Sequence, residues 1–257
     1  MVRMPEPHHC LSVVIPSYNE EATITQVIQQ VLRLDSVGEV IVVNDCSKDR
    51  TAEIVRGLAE FDDRIVLLQH DVNRGKTEAL KTGFAHIRGA IVIVQDADLE
   101  YDPEEIPDVI QPILDGKADV VYGSRFLVRK ASRVLYFYHF LANKLLTFTS
   151  NLFTNINLTD VETGYKAFRS DIMRNMVITS SGFGFEIEVT AKVAKLGCAI
   201  YEVPISYYGR TYEQGKKIGM KDGVAAFWYI LKYNLFCSVR SSYVRLPSLV
   251  EKPGSIS

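Results

Sequence analysis

Cysteine is scarce in this 257-residue chain and never paired: Cys10, Cys46, Cys198 and Cys237 lie far apart and form no CxxC. That spacing argues against a zinc site or a dithiol redox motif and suits a reduced cytoplasm. A basic surplus is also missing. Lys and Arg number 29 against 31 Asp and Glu, for a net charge of -2, and the pI is near 6.2. No nucleic-acid partner is expected, and any phosphate recognition must come from locally placed cations. No GxGxxG or GxSxG occurs, which removes the dinucleotide fingerprint and the hydrolase elbow. Arg74-Gly75-Lys76-Thr77 resembles the end of a P-loop, but His70 stands where that motif needs glycine, so an ATPase reading fails. The five histidines show no ligand spacing.

Long apolar runs are absent too. The stretch from Val134 to Leu152 is broken by His139, Asn143, Lys144 and Asn151, and the stretch from Gly223 to Cys237 by Lys232 and Asn234. A membrane span needs about 20 mostly apolar residues, so neither is expected to cross a bilayer. The first ten residues carry Pro5, Pro7, His8 and His9 and no apolar core, which is not the pattern of a signal peptide. No linker rich in Gly, Pro or Ser precedes the last ten residues. The expected organisation is therefore a flexible start over 1–10, one catalytic domain over 11–218, a helical extension over 219–246 packed on or near it, and a flexible tail over 247–257.

What is present is an alternation of short β-branched runs with helical patterns. Leu11 to Ile15, Val40 to Val43, Ile65 to Leu68, Ile91 to Val94 and Val120 to Tyr122 read as buried parallel strands. Ile24, Val27, Ile28 and Val31 fall at i, i+3, i+4 and i+7, the stripe of a helix packed on a sheet. A βαβα order implies an α/β fold with a Rossmann-like, mostly parallel sheet flanked by helices. After Arg125 the alternation stops, and one further strand is expected from Ala199 to Ser206.

In an open parallel sheet, ligands bind beyond the carboxyl ends of the strands. Polar clusters follow four of the strands: Pro16-Ser17-Tyr18-Asn19-Glu20, Asn44-Asp45-Cys46-Ser47, Asp96-Ala97-Asp98-Leu99-Glu100 and Gly123-Ser124-Arg125. Asp96 and Asp98 are one residue apart, and in an extended segment such residues project to the same side, where two carboxylates repel unless a cation sits between them. A hard divalent ion, Mg²⁺ or Mn²⁺, is the natural partner, with Glu100 as a candidate third ligand. A solvated acidic turn is the other reading of an isolated DxD. Arg210 and Lys216 stand six residues apart in a loop containing Gly215, where cations could close over a diphosphate. Glu186 and Glu188 could reach the site from a helix start, and Asp160 could contact a sugar or deprotonate an acceptor hydroxyl.

Taken together, PSYNE, DADLE, GSRF, the segment DVETGYKAFR from Asp160 to Arg169, and EVPI followed by Arg210 and Lys216 resemble a family 2 glycosyltransferase of GT-A fold. The resemblance is to the group of dolichol-phosphate mannose synthases and polyprenyl-phosphate glucosyltransferases, and it runs from about Leu11 to Gly223. It implies that Pro16, Tyr18, Glu20, Val43 and Asp45 line a nucleoside pocket and that Ala97 contacts the nucleotide through its backbone. It also implies that Asp96 and Asp98 hold a metal on the diphosphate, that Arg125 faces the acceptor phosphate or donor sugar, and that Arg210 and Lys216 bind donor phosphates. The sequence departs from the group at Glu100, where Gln is frequent, and in lacking C-terminal membrane spans.

The expected activity is metal-dependent, inverting transfer of a hexose from a UDP- or GDP-sugar to a polyprenyl phosphate, in the cytoplasm or on the cytoplasmic face of a membrane. Asp98, Arg125 and Asp160 are its candidate catalytic residues. Transfer to a sugar or protein hydroxyl in glycan synthesis is the alternative, with a non-catalytic nucleotide-sugar-binding protein as the rival from another class. The turn from Val134 to Leu141 is apolar on nearly every side and is flanked by Arg129, Lys130, Arg133 and Lys144. Such a turn must be buried in something, either against Phe227, Trp228, Tyr229 and Leu231 or in a headgroup region that would set Arg125 and His139 over a lipid phosphate.

Overall fold

The computed structural model describes residues 9–127, 134, 136–182, 184–209 and 220–250. Each strand read from the sequence is present: β1 (Leu11–Ser17), β2 (Val37–Asn44), β3 (Ile65–Gln69), β4 (Ile91–Val94), β5 (Val120–Ser124) and β7 (Ile200–Pro204). One more, β6 (Lys166–Arg169), was not expected. Helices α1 (Ile24–Leu32), α2 (Thr51–Ala59), α3 (Lys76–Phe84) and α4 (Ile106–Leu114) alternate with the first five strands. Then follow α5 (Phe137–Thr154), α6 (Ser170–Asn175), α7 (Phe185–Leu196), α8 (Met220–Leu235) and α9 (Val239–Ser242).

The strands form a single sheet in the order β3-β2-β1-β4-β6-β5-β7. All neighbouring pairs are parallel except those of β6, which runs antiparallel to both β4 and β5. This reversal decides where the site lies. The residues leading into β6 arrive at the same edge as the residues leaving β4 and β5. The strand is short, and its Lys166 is charged, so no apolar period-2 run advertises it.

Two apolar clusters cover the two faces of the sheet. One gathers Val13, Ile15, Val40, Val42, Ile91 and Ile93 with Ile24, Val27, Ile28 and Val31 of α1, so the helical stripe packs as its spacing requires. The other joins Val14, Ile41, Val43, Val92 and Val94 to α3 and α7. Burial on both faces explains why these strands read as continuous β-branched runs.

At the limits of the described residues the backbone is anchored. Cys10 is buried. Ser248 and Val250 donate backbone N–H groups to Asp171 and Asp119, so the tail expected to be loose from 247 is docked through 250. The 218/219 boundary falls outside the described residues.

Helix α5 packs on the domain through Leu146, which meets Val161, Ile187, Ala226 and Ile230 in a third small cluster with α8. Its opposite face is apolar and exposed: Phe137, Tyr138, Leu141, Leu145, Phe148 and Leu152 all lie open. Trp228 on α8 is also more than half exposed. Val134 and Tyr136 are exposed as well, so the described residues of the 134–141 turn are not buried against Phe227, Trp228, Tyr229 and Leu231. No helix among the described residues is long and apolar enough to cross a membrane.

Candidate functional site

The acidic turn begins where β4 ends. Leu99 within it has φ +60°, and Cys46, in the loop after β2, takes the same left-handed backbone. That conformation is unfavourable for side chains other than glycine and Asn, and strain of this kind gathers where a loop must hold functional groups. The Glu100 N–H donates to Asp98 Oδ1 at 3.2 Å, which fixes the turn. Ala97, expected at the nucleotide, accepts from Thr23 Oγ1 through its carbonyl at 2.6 Å, so the turn is tied to the start of α1. Asp96 Oδ1 lies 2.9 Å from Lys76 Nζ, and the same ammonium lies 3.3 Å from Glu186 Oε1. Burial alone would lower the Lys76 pKa, but the Asp96 and Glu186 carboxylates hold it above its ordinary value.

Glu100, the candidate third metal ligand, points its carboxylate at the Tyr207 hydroxyl, which donates to Oε2 at 2.8 Å. Among the described residues no three His, Cys, Asp or Glu side chains gather as a metal site, so the set Asp96, Asp98 and Glu100 is not assembled as a triad.

On the β1–β2 side, Pro16 and Val43 are register partners, and Glu20 is buried with Oε2 accepting from Thr23 Oγ1. Asp45, expected to line the nucleoside pocket, spends its carboxylate on the protein itself. It is almost fully buried, and its carboxylate accepts the N–H groups of Arg74 at 2.8 Å and Gly75 at 2.7 Å while pairing with His70 at 2.7 Å. Asp45 thus pins the loop that delivers Lys76, and Gly75 at φ +89° makes the turn into α3.

On the other side, Arg125 and Asp160 form a bidentate pair: Nε to Oδ2 at 2.6 Å and Nη2 to Oδ1 at 2.7 Å. Asp160 is fully buried and also accepts from the Arg125 N–H and from Asn143 of α5. Burial works to raise its pKa, but the guanidinium holds the carboxyl below its ordinary value. A carboxylate so engaged is a poor proton acceptor, so the general-base role considered for Asp160 gives way to orienting Arg125. The Tyr207 ring lies 5.1 Å from the Arg125 guanidinium, on the face where a cation is attracted to a π-system.

Residues that received little or no weight in the sequence complete the site. Gly164 lies against Asp96; a Cβ there would fall 2.7 Å from Oδ2 and push that carboxylate aside, so glycine lets the β6 lead-in close on the acidic turn without displacing it. Lys166 is fully buried, donates to the carbonyls of Val161 and Thr163, and is pulled down to about 8 by burial. Burial and the neighbouring Glu186 charge push Glu162 up to about 7. Glu186 and Glu188 lie on different faces of α7, because residues two apart on a helix do not share a face. Glu188 is committed to Lys192, Thr179 and Ser180, and only Glu186 joins the site. The signal that could have found Glu162 and Lys166 was two charges in a segment otherwise destined for a strand. Arg210 and Lys216, with Arg129, Lys130 and Arg133, lie outside the described residues.

The model for glycosyl transferase family 2 matches residues 12–177, well over half of the chain. The chain belongs to glycosyl transferase family 2. It is similar to the undecaprenyl-phosphate mannosyltransferase of Micrococcus luteus, at 29% identity over 242 residues, 86% of this chain and 97% of that one. It is also similar to the low-salt glycan biosynthesis hexosyltransferase Agl6 of Haloferax volcanii, at 32% identity over 209 residues, 79% of this chain and 49% of that one. The chain thus spans nearly all of the first relative and about half the length of the second. Among solved structures, glucosyl-3-phosphoglycerate synthase of Mycobacterium tuberculosis bound to UDP matches with a TM-score of 0.67 at 25% identity, covering 88% of this chain and 80% of that one. The mixed seven-stranded sheet is therefore the GT-A fold, and the protein is a glycosyltransferase.

Proposed function

We propose that this glycosyltransferase moves a hexose from a UDP- or GDP-sugar, with Mg²⁺ or Mn²⁺, onto a polyprenyl phosphate at a bilayer surface. The observation that carries the reading is the closed Arg125–Asp160 pair beside the acidic turn, on a framework shared with an exposed apolar helix. An ionised lipid phosphate needs a fixed cation and no base, and that is what Arg125 and the engaged Asp160 offer. The Micrococcus relative is named for undecaprenyl phosphate, and solved relatives carry Mn²⁺ with UDP, which supports both halves of the reaction.

The donor set fits a hard divalent ion. Asp96 and Asp98 supply two carboxylates on one turn, and Mg²⁺ in particular is usually held by one or two carboxylates completed by substrate phosphates and water. Bound there, the ion would act as a Lewis acid on the leaving diphosphate, a contribution of several kcal/mol. The nucleoside would lie along Pro16, Tyr18, Glu20 and Val43, with Asp45 shaping the loop beside it. Arg210 and Lys216 would bind the donor phosphates, and Arg125 would hold the acceptor phosphate through the part of its fork not given to Asp160. Inverting displacement at the anomeric carbon then needs no proton removal from the acceptor.

Asn143 and Lys144, on α5, touch Asp160 and the Thr159 carbonyl, so the helix with the apolar face is part of the frame around Arg125. Laid in the headgroup region, that face would bring a lipid phosphate to the site. The test is transfer of radiolabelled hexose from UDP- and GDP-sugars to undecaprenyl phosphate in anionic vesicles with Mn²⁺. Efficient transfer to soluble hydroxyl acceptors with none to the lipid would favour the alternative acceptor class.

A further inference from the structure

Four consecutive residues beside the site, Leu158 to Val161, lie in neither helix nor strand, and each is held by a side chain of α5. Asn151 clamps Leu158 through both of its backbone polar groups, with Nδ2 donating to the carbonyl at 2.8 Å and Oδ1 accepting from the N–H at 3.2 Å. Lys144 donates to the Thr159 carbonyl at 3.1 Å. The other two contacts form one chain. The Val161 N–H donates to Thr147 Oγ1 at 3.2 Å, that hydroxyl donates to Asn143 Oδ1 at 3.2 Å, and Asn143 Nδ2 donates to Asp160 Oδ1 at 3.3 Å.

Asn143, Thr147 and Asn151 recur every fourth residue, so they share one face of the helix. Asn and Thr are poor helix formers, and three of them in register are not explained by local propensity. Their polar groups go to the loop and to one another, not to the carbonyls of their own helix. What the ladder holds is Asp160, and Asp160 holds Arg125 at two points. A carboxylate and a guanidinium joined in that way are planar partners, so turning one swings the other. We propose that Asn143, Thr147 and Asn151 are positioning residues for the acceptor half of the reaction, setting the Arg125 guanidinium through the 158–161 backbone and the Asp160 carboxylate. The assignment rests on the reading of Arg125 as the residue that meets the acceptor phosphate. The donor is assigned to other elements, the ends of β1 and β2 and the acidic turn, so a positioning role must separate the two substrates.

The test compares Thr147→Val, which keeps the shape and breaks the chain, with Thr147→Ser, which keeps the hydroxyl. Binding of UDP-glucose and GDP-mannose with Mn²⁺ is measured by calorimetry. Transfer from each to undecaprenyl phosphate is followed in phosphatidylglycerol–phosphatidylcholine vesicles at varied acceptor. A displacement of about 1 Å in a positioning group can cost about a hundredfold in rate. For Thr147→Val the expected result is a donor dissociation constant within about twofold of wild type and a roughly tenfold or greater fall in acceptor kcat/KM. Thr147→Ser should return that value to within about threefold of wild type. Asn143→Ala, which removes the Asp160 contact itself, should show the same split if Thr147→Val disturbs folding. Wild-type acceptor kinetics in Thr147→Val and Asn143→Ala, or a parallel loss of donor binding and acceptor turnover, overturns the positioning role. Arg125→Lys separates that failure from failure of the acceptor reading, because it keeps the charge and loses the bidentate fork. Lipid-acceptor kinetics unchanged by Arg125→Lys, or a wild type that transfers nothing to the lipid, removes the reading of Arg125 and the positioning role with it.

Discussion

Buried carboxylates line both flanks of the acidic turn, and the flanks differ in who supplies their donors. On the β2 flank, Asp45 is saturated by two backbone N–H groups and His70. On the β6–α7 flank, Glu162 and Glu186 each keep a buried oxygen without a partner, although Glu188, two residues further along α7, has all its needs met by Thr179, Ser180 and Lys192. The contrast separates carboxylates whose oxygens the fold satisfies from carboxylates it leaves partly unsatisfied. Both kinds look alike in the sequence.

The largest effect should come from the turn between the flanks. Asp98→Ala is expected to lower transfer by on the order of a thousandfold, since several kcal/mol of leaving-group stabilisation go with the metal, while the thermal midpoint stays close to wild type. Near-normal turnover in this variant, or full activity of the native enzyme in excess EDTA, contradicts the role given to the turn. Next in size is Arg125→Ala, which strands Asp160 in the interior; breaking a buried pair from one side costs about 3–5 kcal/mol. Urea titration measures the loss, and a change below about 1 kcal/mol would mean that the pair does not organise this flank.

The comparison itself is sharpened by matched amide substitutions. Glu188→Gln removes a charge that several donors and Lys192 require, and about 2 kcal/mol should be lost. Glu162→Gln removes a charge that the protein does not satisfy, and stability should be unchanged or higher. Equal losses in the two variants would erase the distinction.

A smaller effect distinguishes the flanks by pH. Glu162 is raised to about 7 in the fold against about 4.3 for an unfolded glutamate, so its contribution is fully present below about pH 4 and is lost as pH rises through 7. Asp160 is lowered by Arg125; its contribution is present above about pH 4 and is lost as pH falls through its depressed pKa. Urea stability followed from pH 5 to 8 should therefore contain a decline, on the order of 1 kcal/mol, that Glu162→Gln abolishes. A slope identical in both proteins would show that Glu162 ionises normally.

A last expected change concerns the exposed apolar face of α5. Phe148→Glu on the exposed side of α5 should lower flotation with anionic vesicles by roughly tenfold, since it replaces inserted apolar area with charge. Flotation that is undiminished by this change would remove α5 from the membrane reading.

Much of the fold was legible in the chain because buried parallel strands leave continuous β-branched runs and α1 leaves a 3.6-residue stripe. The acidic turn was legible for the same reason: DADLE directly follows such a run, so its place at the carboxyl edge follows from the strand. Strand β6 was not, since four residues including a buried lysine carry no periodic signal. Without β6, the destination of Asp160, Glu162 and Gly164 could not be inferred.

By itself, then, the sequence determined the family, the alternating α/β order and the edge on which Asp96, Asp98 and Arg125 meet, because local periodicity and short motifs encode these directly. Tertiary structure alone decided which charges are spoken for. Asp45 turned out to pin a loop, Asp160 to orient Arg125, Glu188 to neutralise Lys192, and Glu162 with Glu186 to keep unpartnered oxygens. The physical reason is that a carboxylate's behaviour depends on the donors and charges within a few ångströms, and several of those arrive from distant segments, as His70 does for Asp45 from 25 residues away and Tyr207 for Glu100 from 107.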